Sequence, residues 1–498
     1  MNRTLRLSMR LCGAMLLWQG LAGAALAQAN WVPDPGFGAA ANDTVRSIVV
    51  QPDGQILLGG DFAQVNGVAS NRMARLGADG ALDAAFDAAA AASGSVYSMA
   101  VQPDGKLLVG GTSLMVGGVP NKNIVRLGAN GALDAGFDTA PNGPVHSVAV
   151  QPGGKVLMGG NFMYIGGPTA YPYLARRNAD GTPDATFDVD AGANDMVKSI
   201  VLQPDGQILL GGHFSGVNGV ARFRVARLSA DGTLDSGFVP PDLGNPVFSL
   251  AVQPDGKVLV AGAFTGGVAR LHADGSRDSG FSPGSGTNNV VNSVALQPDG
   301  KVLIGGHFTQ VDGVPRGRLA RLNADGSLDT TFDPGAGANG EVTHITLEGS
   351  GHLLIGGAFT QVNGVARNRI ARLMPGPTIG GTVTGLTVAG LVLRNNGGDD
   401  LAVPANAANF IFATPVAPGG AYDVTVHAQP VGLLCAVTAN DQGNAAANVA
   451  NVQIDCVADP AVIPGGAQAI PVDAPWALAL LSVLLGAVGW RRAWKLSN

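Results

Sequence analysis

The sequence predicts an all-β fold, a seven-bladed β-propeller closed by its N-terminal strand. A Gln-Pro-Asp-Gly-type turn followed by Gly-Gly or Ala-Gly recurs seven times from Gln51, at spacings of 44 to 52 residues. A period of roughly 40–50 residues is typical of propeller blades with about four strands each. Asp-x-x-Phe also occurs seven times, but its first copy, Asp34–Phe37, precedes the first full repeat, and none follows the last Ala-Arg-Leu, Ala371–Leu373. We therefore expect Asp34–Phe37 to complete the last repeat by pairing with the Arg369–Leu373 strand, with Asp34 near Arg372.

The first repeat shows how each unit is interpreted. Val45–Val50 is β-branched and apolar and predicts the first strand. Ile56–Leu58 is apolar on both faces, which indicates a strand covered by neighbouring blades. Arg72–Leu76 alternates between apolar and polar residues, which predicts a half-buried third strand. Leu82–Asp87 is the expected fourth strand. Pro-Asp-Gly and Ala-Asp-Gly supply the tight turns between them.

The composition favours the same all-β fold. The chain has 34 aspartates but only two glutamates, and aspartate favours turns whereas glutamate favours helices. The 74 glycines and 30 prolines fit many tight turns. Such a content also occurs in low-complexity chains, but the regular apolar strands argue against disorder.

An arginine and an aspartate recur at a fixed distance within the repeats. If Ala78-Asp79-Gly80 is a three-residue loop, Arg75 faces Asp83 across the hairpin. Cross-strand pairing explains such repetition better than a functional site does. Calcium binding by the repeated aspartates is the alternative, but their spacing lacks an EF-hand pattern, and we expect no metal or cofactor. The equivalent expected pairs are Arg126–Asp134, Arg176–Asp184, Arg227–Asp235, Arg270–Asp278 and Arg321–Asp329.

One loop position differs among the repeats. It lies between Gly-Gly and Phe, and it opens the loop from the second to the third strand, on the face opposite the tight turns. Variable loops on a fixed scaffold commonly carry function. We therefore expect ligand-binding residues at Asp61, Asn161, His213 and His307, with idle loop residues as the alternative. Other histidines, such as His146 and His344, show no partner pattern and are interpreted as ordinary surface or packing residues.

Both ends of the chain carry targeting features. Residues 1–29 have three arginines, then an apolar stretch and small residues suited to cleavage, which predicts a secretory signal peptide rather than a membrane anchor. Near the C-terminus, Trp476–Trp490 is apolar and is followed by Arg491 and Arg492. This run predicts an apolar helix that attaches the chain to a membrane. The two ends carry six basic residues and one acidic residue, so the mature chain is more acidic than the full chain at −6. Such a surface does not favour nucleic acid.

The repeat period stops after Pro375-Gly376-Pro377. Short alternating strands in residues 378–458 predict a small β-sandwich, and residues 459–469, which contain Pro460 and Pro464, predict a linker to the tail at 470–498. Cys435 and Cys456 are the cysteines outside the signal peptide, and in an oxidising compartment they predict a disulfide.

Two resemblances to known families rest on these residues. The repeat consensus, Val-x-Ser-x-x-x-Gln-Pro-Asp-Gly followed by Leu-x-Gly-Gly-x-Phe and by Ala-Arg-Leu-x-x-Asp-Gly-x-x-Asp-x-x-Phe, resembles the delta-60 repeat family of bacterial secreted proteins over residues 34–373. That resemblance implies a β-propeller-like protein at the cell surface and no catalytic residues. Ile470, Pro471, Trp476 and the basic end resemble the IPTL-CTERM sorting tail of Gram-negative bacteria, although Val472 and Asp473 replace its Thr and Leu. The resemblance implies an exosortase-type enzyme as a partner.

Two classes of function remain open from the sequence. The first is an exported, non-catalytic protein of the cell envelope or surface, whose propeller serves as an adhesion or interaction platform for a surface glycan or protein. The second is a propeller enzyme that acts on extracellular polysaccharide from the ring centre. The sequence contains no Gly-x-Ser-x-Gly, His-Glu-x-x-His or Cys-x-x-Cys motif, so it favours the first class.

Overall fold

The computed structural model describes residues 29–86, 94–116, 119–137, 139–165, 167, 170–187, 192–412, 414–416 and 419–460. Within these ranges the chain is all-β, a propeller-like fold with repeated blades, and it contains no helix. The described part also holds no helix long and apolar enough to cross a membrane. The predicted apolar helix and the sorting residues Ile470, Pro471, Trp476, Arg491 and Arg492 lie outside the described residues, as does nearly all of the predicted signal peptide.

Each repeat forms an antiparallel sheet whose core is three strands, here called inner, middle and outer. The inner strands are Val45–Val50, Val96–Val101, Val145–Val150, Val197–Leu202, Val247–Val252, Val291–Leu296 and Val342–Leu347. The middle strands are Ile56–Gly60, Leu107–Val116, Val156–Gly160, Ile208–Gly212, Val258–Gly262, Val302–Gly306 and Leu353–Gly357. The outer strands are Met73–Leu76, Val119–Leu127, Leu174–Arg177, Val225–Leu228, Val268–Leu271, Leu319–Leu322 and Ile370–Pro375.

The strand register separates two ends of every blade. In the first blade, Val45 is the register partner of Gly60, and Val50 is the partner of Ile56 next to the tight turn. The start of the inner strand and the end of the middle strand therefore meet at one end, here called the variable end. The Gln-Pro-Asp-Gly turn lies at the opposite end, here called the turn end.

Neighbouring blades pack closely because the middle strand of six blades has a glycine where it meets the inner strand of the next blade. A Cβ placed on Gly59 would lie 2.5 Å from Cγ1 of Val96 in the second blade, so a larger residue would push the blades apart. The same approach joins the last blade to the first, since a Cβ on Gly356 would lie 2.8 Å from Cγ1 of Val45. Thr343 Oγ1 also donates a hydrogen bond of 2.5 Å to the Val45 carbonyl.

The N-terminal strand, Ala29–Pro33, joins the last blade. It pairs antiparallel with the outer strand of that blade, with Pro33 opposite Leu373, and in parallel with the two-residue strand Phe332–Asp333. The partner strand is the one that the sequence analysis expected, but the paired residues are Trp31–Pro33 and not Asp34–Phe37. Asp34–Phe37 forms a turn closed by a 3.3 Å bond from the Phe37 N–H to the Asp34 carbonyl.

The fourth strand expected in the first six repeats is reduced to a single bridge to the outer strand. In the first repeat this bridge joins Leu76 to Leu82, and equivalent bridges occur in the next five repeats. The chain then turns instead of extending, because Asp83 Oδ1 accepts the Ala85 N–H at 2.9 Å and the Asp83 carbonyl accepts the Phe86 N–H. An aspartate that bonds its own backbone two residues on competes with strand pairing.

The loop at the variable end contains its own small hairpin in four repeats. These hairpins are Gln64–Val65 with Val68–Ala69, Gly216–Val217 with Val220–Ala221, Gln310–Val311 with Val314–Pro315, and Gln361–Val362 with Val365–Ala366. In the shortened fifth repeat this hairpin is replaced by Gly266-Gly267, both with positive φ. The fifth blade keeps its three strands and the Leu271–Arg277 bridge, so only the loop is shortened.

Residues after the repeats form two four-stranded sheets around a separate apolar core. Cys435 and Cys456 are register partners on adjacent strands and form a disulfide. The strands of one sheet are Ile379–Thr384, Asn409–Ile411, Leu433–Ala439 and Val449–Ala458; those of the other are Leu391–Asn395, Asp399–Val403, Gly420–Ala428 and Gln442–Ala445.

Candidate ligand-binding site in the central cavity

The inner strands of all seven repeats line one cavity of about 700 Å³, here called the central cavity. The repeat consensus Val-x-Ser places a different residue x at the same point of each inner strand. In every inner strand x is the unpaired residue of a register shift, and the valine before it is fully buried. Such a bulge locally disrupts the strand pairing and re-aims a side chain. The residues at x are Arg46, Tyr97, His146, Lys198, Phe248, Asn292 and Thr343, and all seven line the cavity.

A continuous set of contacts runs across the first four blades. Asp61 accepts hydrogen bonds from Arg46 Nε at 2.9 and 3.0 Å, and the Arg46 guanidinium lies 5.6 Å from the ring centre of Tyr97. Tyr97 stacks on His146 with 4.7 Å between ring centres. His146 Nδ1 in turn lies 3.4 Å from Lys198 Nζ. One side of the mouth is therefore basic and aromatic.

Three titratable groups in this set of contacts have pKa values below their ordinary values. Burial opposes ionisation of Asp61, but the Arg46 hydrogen bond and charge outweigh it and hold the pKa of Asp61 below its ordinary value. Burial, and then the charge of Lys198, lower the pKa of His146 to about 3, so this imidazole is neutral at physiological pH. Burial and the nearby Arg46 charge also lower the pKa of Lys198.

The remaining blades contribute an aromatic pair and a hydrogen-bonded triad. His213 and Phe248 lie 5.9 Å apart between ring centres, and burial followed by the charge of Lys198 lowers the pKa of His213. Glu341 Oε1 accepts a bond from Asn292 Nδ2 and lies 2.9 Å from His307 Nε2. Deeper in the cavity, His344 occupies the serine position of the consensus, and burial lowers its pKa to about 4.

The four residues expected to bind ligand do not all come together. His213 lines the cavity, Asp61 reaches it through Arg46, and His307 reaches it through Glu341. Asn161 is exposed and is not among the lining residues. The lining residues at x, including His146, were not expected from the sequence. The sequence signal that could have identified them is position x of the Val-x-Ser consensus, where every repeat has a different residue.

The expected arginine–aspartate pairs lie near the turn end, away from the cavity mouth. Each arginine Nε donates to its aspartate Oδ2, and the guanidinium lies over the phenylalanine of the same Asp-x-x-Phe. The distances are 2.8 Å for Arg75–Asp83, 2.9 Å for Arg126–Asp134, 2.6 Å for Arg176–Asp184, 2.8 Å for Arg227–Asp235, 2.8 Å for Arg270–Asp278 and 2.7 Å for Arg321–Asp329. Arg372 lies 3.6 Å from Asp34 and 2.7 Å from Glu348.

These arginines also join successive blades, which the sequence analysis did not foresee. Arg75 Nη1 donates to the carbonyl of Ala129, in the Ala-Asn-Gly turn of the second blade, at 2.6 Å. Arg126, Arg176, Arg227 and Arg270 make the equivalent bond to the next blade. The pairs are therefore structural contacts within and between blades, and the chemistry of interest lies at the variable end.

Metal ligands are not grouped in the part of the chain described here. Nowhere in the described ranges do three or more His, Cys, Asp or Glu side chains come close enough to hold a metal ion. The cavity offers aromatic faces, neutral imidazoles, the Lys198 ammonium, the Arg46 guanidinium and the Glu341 carboxylate, which suit recognition of a polar ligand.

Family models match both the repeats and the tail. The model described as "Domain of unknown function (DUF5122) beta-propeller" matches seven segments, at residues 51–86, 102–137, 151–187, 203–238, 253–281, 297–332 and 349–376. The chain belongs to this β-propeller repeat family. The IPTL-CTERM motif matches residues 468–494, which implies processing by an exosortase-type sorting system and points to an exported, cell-surface protein. The expectation of a propeller repeat protein with a sorting tail is therefore confirmed.

Comparison with curated proteins finds no match. Solved structures with similarity include the WD40 β-propeller domain of Doa1, at 14% identity and a TM-score of 0.42, covering 68% of this chain and 95% of that one. U3-55K has 14% identity and a TM-score of 0.47, with 69% and 99% covered. Virginiamycin B lyase from Staphylococcus aureus has 12% identity and a TM-score of 0.41, with 68% and 98% covered. Similarities at this level say nothing about what this chain binds.

Proposed function

We propose that this is an exported, non-catalytic surface protein of a Gram-negative bacterium that binds a surface glycan or protein ligand through its central cavity. The observation that carries the proposal is the set of seven different side chains that one repeated position sends into this cavity. A purely structural position would tend to repeat the same residue, as the arginine–aspartate pairs do. Asp61, His213 and His307 support the site from the loops at the variable end.

The proposed organisation serves this role. Residues 1–29 act as a signal peptide, residues 30–374 form a closed seven-bladed ring, residues 378–458 form a β-sandwich, and residues 459–469 link it to a membrane-attaching tail at 470–498. Ring closure is supported by the Thr343–Val45 hydrogen bond and by the N-terminal strand paired beside Leu373. A closed ring would hold the seven lining residues at fixed distances, which favours a preorganised site.

A glycan array with the purified protein tests the binding role. We expect retention of a defined set of glycans by the wild type and loss of that retention in Phe248→Ala, which removes an aromatic face from the cavity. Asp205→Ser is the matched control and should bind like the wild type, because Asp205 lies in the tight turn of the fourth blade, at the turn end and away from the cavity. Equal retention by Phe248→Ala and the wild type would place the ligand elsewhere.

A second candidate function is an enzyme acting on extracellular polysaccharide. It is favoured by one observation, the 2.9 Å contact of His307 Nε2 with Glu341, whose carboxylate also accepts a bond from Asn292. A carboxylate that orients an imidazole is suited to general base catalysis. Release of new reducing ends from a bound polysaccharide, lost in Glu341→Gln, would favour this function. Binding without any turnover would exclude it for that glycan.

A further inference from the structure

We propose that the central cavity takes an acidic saccharide, and that Lys198 Nζ binds the carboxylate or sulfate of that sugar. The inference deepens the proposed binding function and rests on it. Lys198 lies on the inner strand of the fourth blade and lines the cavity between His146 and Phe248, which belong to the blades on either side.

Lys198 is the cation of the cavity whose charge lacks a carboxylate counterpart. Arg46 is matched by Asp61, with a closest contact of 2.6 Å from Nη2 to Oδ2. Lys198 takes part in no ion pair within the described residues, and its Nζ lies 3.4 Å from His146 Nδ1. Holding an ammonium half-buried without a counter-charge is unfavourable, and an anionic group of a ligand would relieve that cost.

The histidines near Lys198 contribute polar groups without charge, so the ammonium is free to attract an anion. His146 is held neutral by burial and by Lys198 itself, so the imidazole adds a hydrogen-bonding nitrogen without adding charge. His213 is shifted in the same direction for the same two reasons. The two histidines therefore add neutral polar groups to the cavity that Lys198 lines.

The rest of the cavity indicates that the anion is carried by a sugar. Phe248 provides a partly exposed aromatic face in the blade next to Lys198, and a pyranose ring can cover such a face with its apolar C–H groups. Glu341 provides carboxylate oxygens that can accept bonds from sugar hydroxyls. A cavity of about 700 Å³ has room for a sugar residue of a chain, and it is larger than an isolated phosphate or sulfate needs.

Titration calorimetry with the full protein tests the inference, using three probes: a glucuronate oligosaccharide, a sulfated galactose oligosaccharide and a neutral glucose oligosaccharide. We expect the wild type to bind at least one acidic probe at least tenfold more tightly than the neutral one, and the tighter acidic probe identifies the anion. Lys198→Met should weaken acidic binding at least tenfold and leave the neutral probe unchanged. Lys198→Arg should restore part of the affinity.

Lys106→Met is the matched control, because Lys106 pairs with Asp134 at 3.0 Å near the turn end and does not line the cavity. It should bind acidic probes within twofold of the wild type. The melting temperature of each variant, measured alongside, separates loss of binding from loss of folding. If Lys198→Met melts well below the wild type, Lys198→Arg at the same position provides the comparison.

The possible failures are distinguishable. If the wild type binds neutral and acidic probes equally, or if Lys198→Met binds acidic probes like the wild type, the proposed role of Lys198 is wrong while binding through the cavity stands. If an acetylated glutamate peptide binds in the cavity and no saccharide does, the ligand is a peptide and the saccharide proposal is wrong. If neither saccharides nor peptides bind, the proposed function fails as well.

Discussion

Arg372 lies over the ring of Phe37, with its guanidinium carbon 4.5 Å from the ring centre, although the two residues come from opposite ends of the repeat region. The Asp34 N–H also donates to the Arg372 carbonyl at 2.9 Å. In the other six repeats, the arginine and the phenylalanine of this contact belong to the same repeat. The N-terminal segment thus supplies the last blade with the contact that its own sequence lacks.

The first prediction concerns this closure. Phe37→Ala should lower the free energy of unfolding by about 3–5 kcal/mol, because Phe37 is 1% exposed and its removal leaves a cavity. Phe238→Ala is the matched control, since Phe238 is fully buried under Arg227 within its own repeat. Chemical denaturation should give similar losses for both variants. A Phe37→Ala variant as stable as the wild type would mean that the N-terminal segment does not dock as described.

The second prediction concerns the arginines that join strands and blades. Arg270→Met should cost about 3 kcal/mol of unfolding free energy, because it removes one of the cations that face the buried Asp278 and leaves Lys257, at 3.1 Å, to compensate that charge. It also removes the bond to the Ala324 carbonyl of the next blade and the contact with Phe281. Arg394→Met is the control, because Arg394 pairs with the exposed Asp400 in a solvent-screened contact whose loss should change stability far less. Equal losses in the two variants would contradict the structural role of Arg270.

The third prediction is acid sensitivity at the turn end. Burial opposes ionisation of Asp278, but hydrogen bonds from the Gly280 N–H, Lys257 and Arg270 lower its pKa to about 2. The folded pKa is below the unfolded value of roughly 3.9, so this stability is present above pH ~4 and is lost as pH falls towards 2. Asp278→Asn should therefore be about 2 kcal/mol less stable than the wild type at pH 7, with a smaller gap near pH 2.

Denaturation at pH 7 and at about pH 2.5 measures this gap. Asp400→Asn, on the exposed pair, should show a small difference from the wild type at both values. If the Asp278→Asn deficit stays constant as pH falls, the stabilisation does not depend on the charge of Asp278.

Much of the repeat could be predicted because its signals are local. The β-branched inner strands, the tight Pro-Asp-Gly turns and the fixed spacing from Arg75 to Asp83 depend on nearby residues, and the hairpin register brings that pair to 2.8 Å. The hairpin inside the loop at the variable end was predictable in the same way. Asn66 and Gly67 both have positive φ, as a two-residue Asn-Gly turn requires, yet the sequence analysis treated this segment as a plain loop.

Other features depend on contacts between distant repeats and could not be read from one unit. Tyr97, His146 and Lys198 come together because inner strands of successive blades lie side by side, at separations of about 50 residues along the chain. Arg72 was expected to begin a strand, but it has a φ of 74° and the outer strand begins at Met73. Residues other than glycine rarely adopt this backbone conformation, so residue propensity alone would not place Arg72 in it.

The fourth prediction concerns the sorting tail. The IPTL-CTERM match at residues 468–494 points to attachment at the cell surface, and the apolar run Trp476–Trp490 is the segment suited to hold the chain in a membrane before processing. Removing Pro471–Asn498 should release the protein into the periplasm or the medium, because it removes the apolar run Trp476–Trp490. Fractionation of cells that express the full and shortened chains measures this. Replacing Val472 and Asp473 by Thr and Leu, the residues of the sorting motif, should increase processing of the full chain. If the shortened protein stays in the membrane fraction to the same extent as the full chain, the tail is not the anchor, and the sheets between Ile379 and Ala458 become the next segment to test.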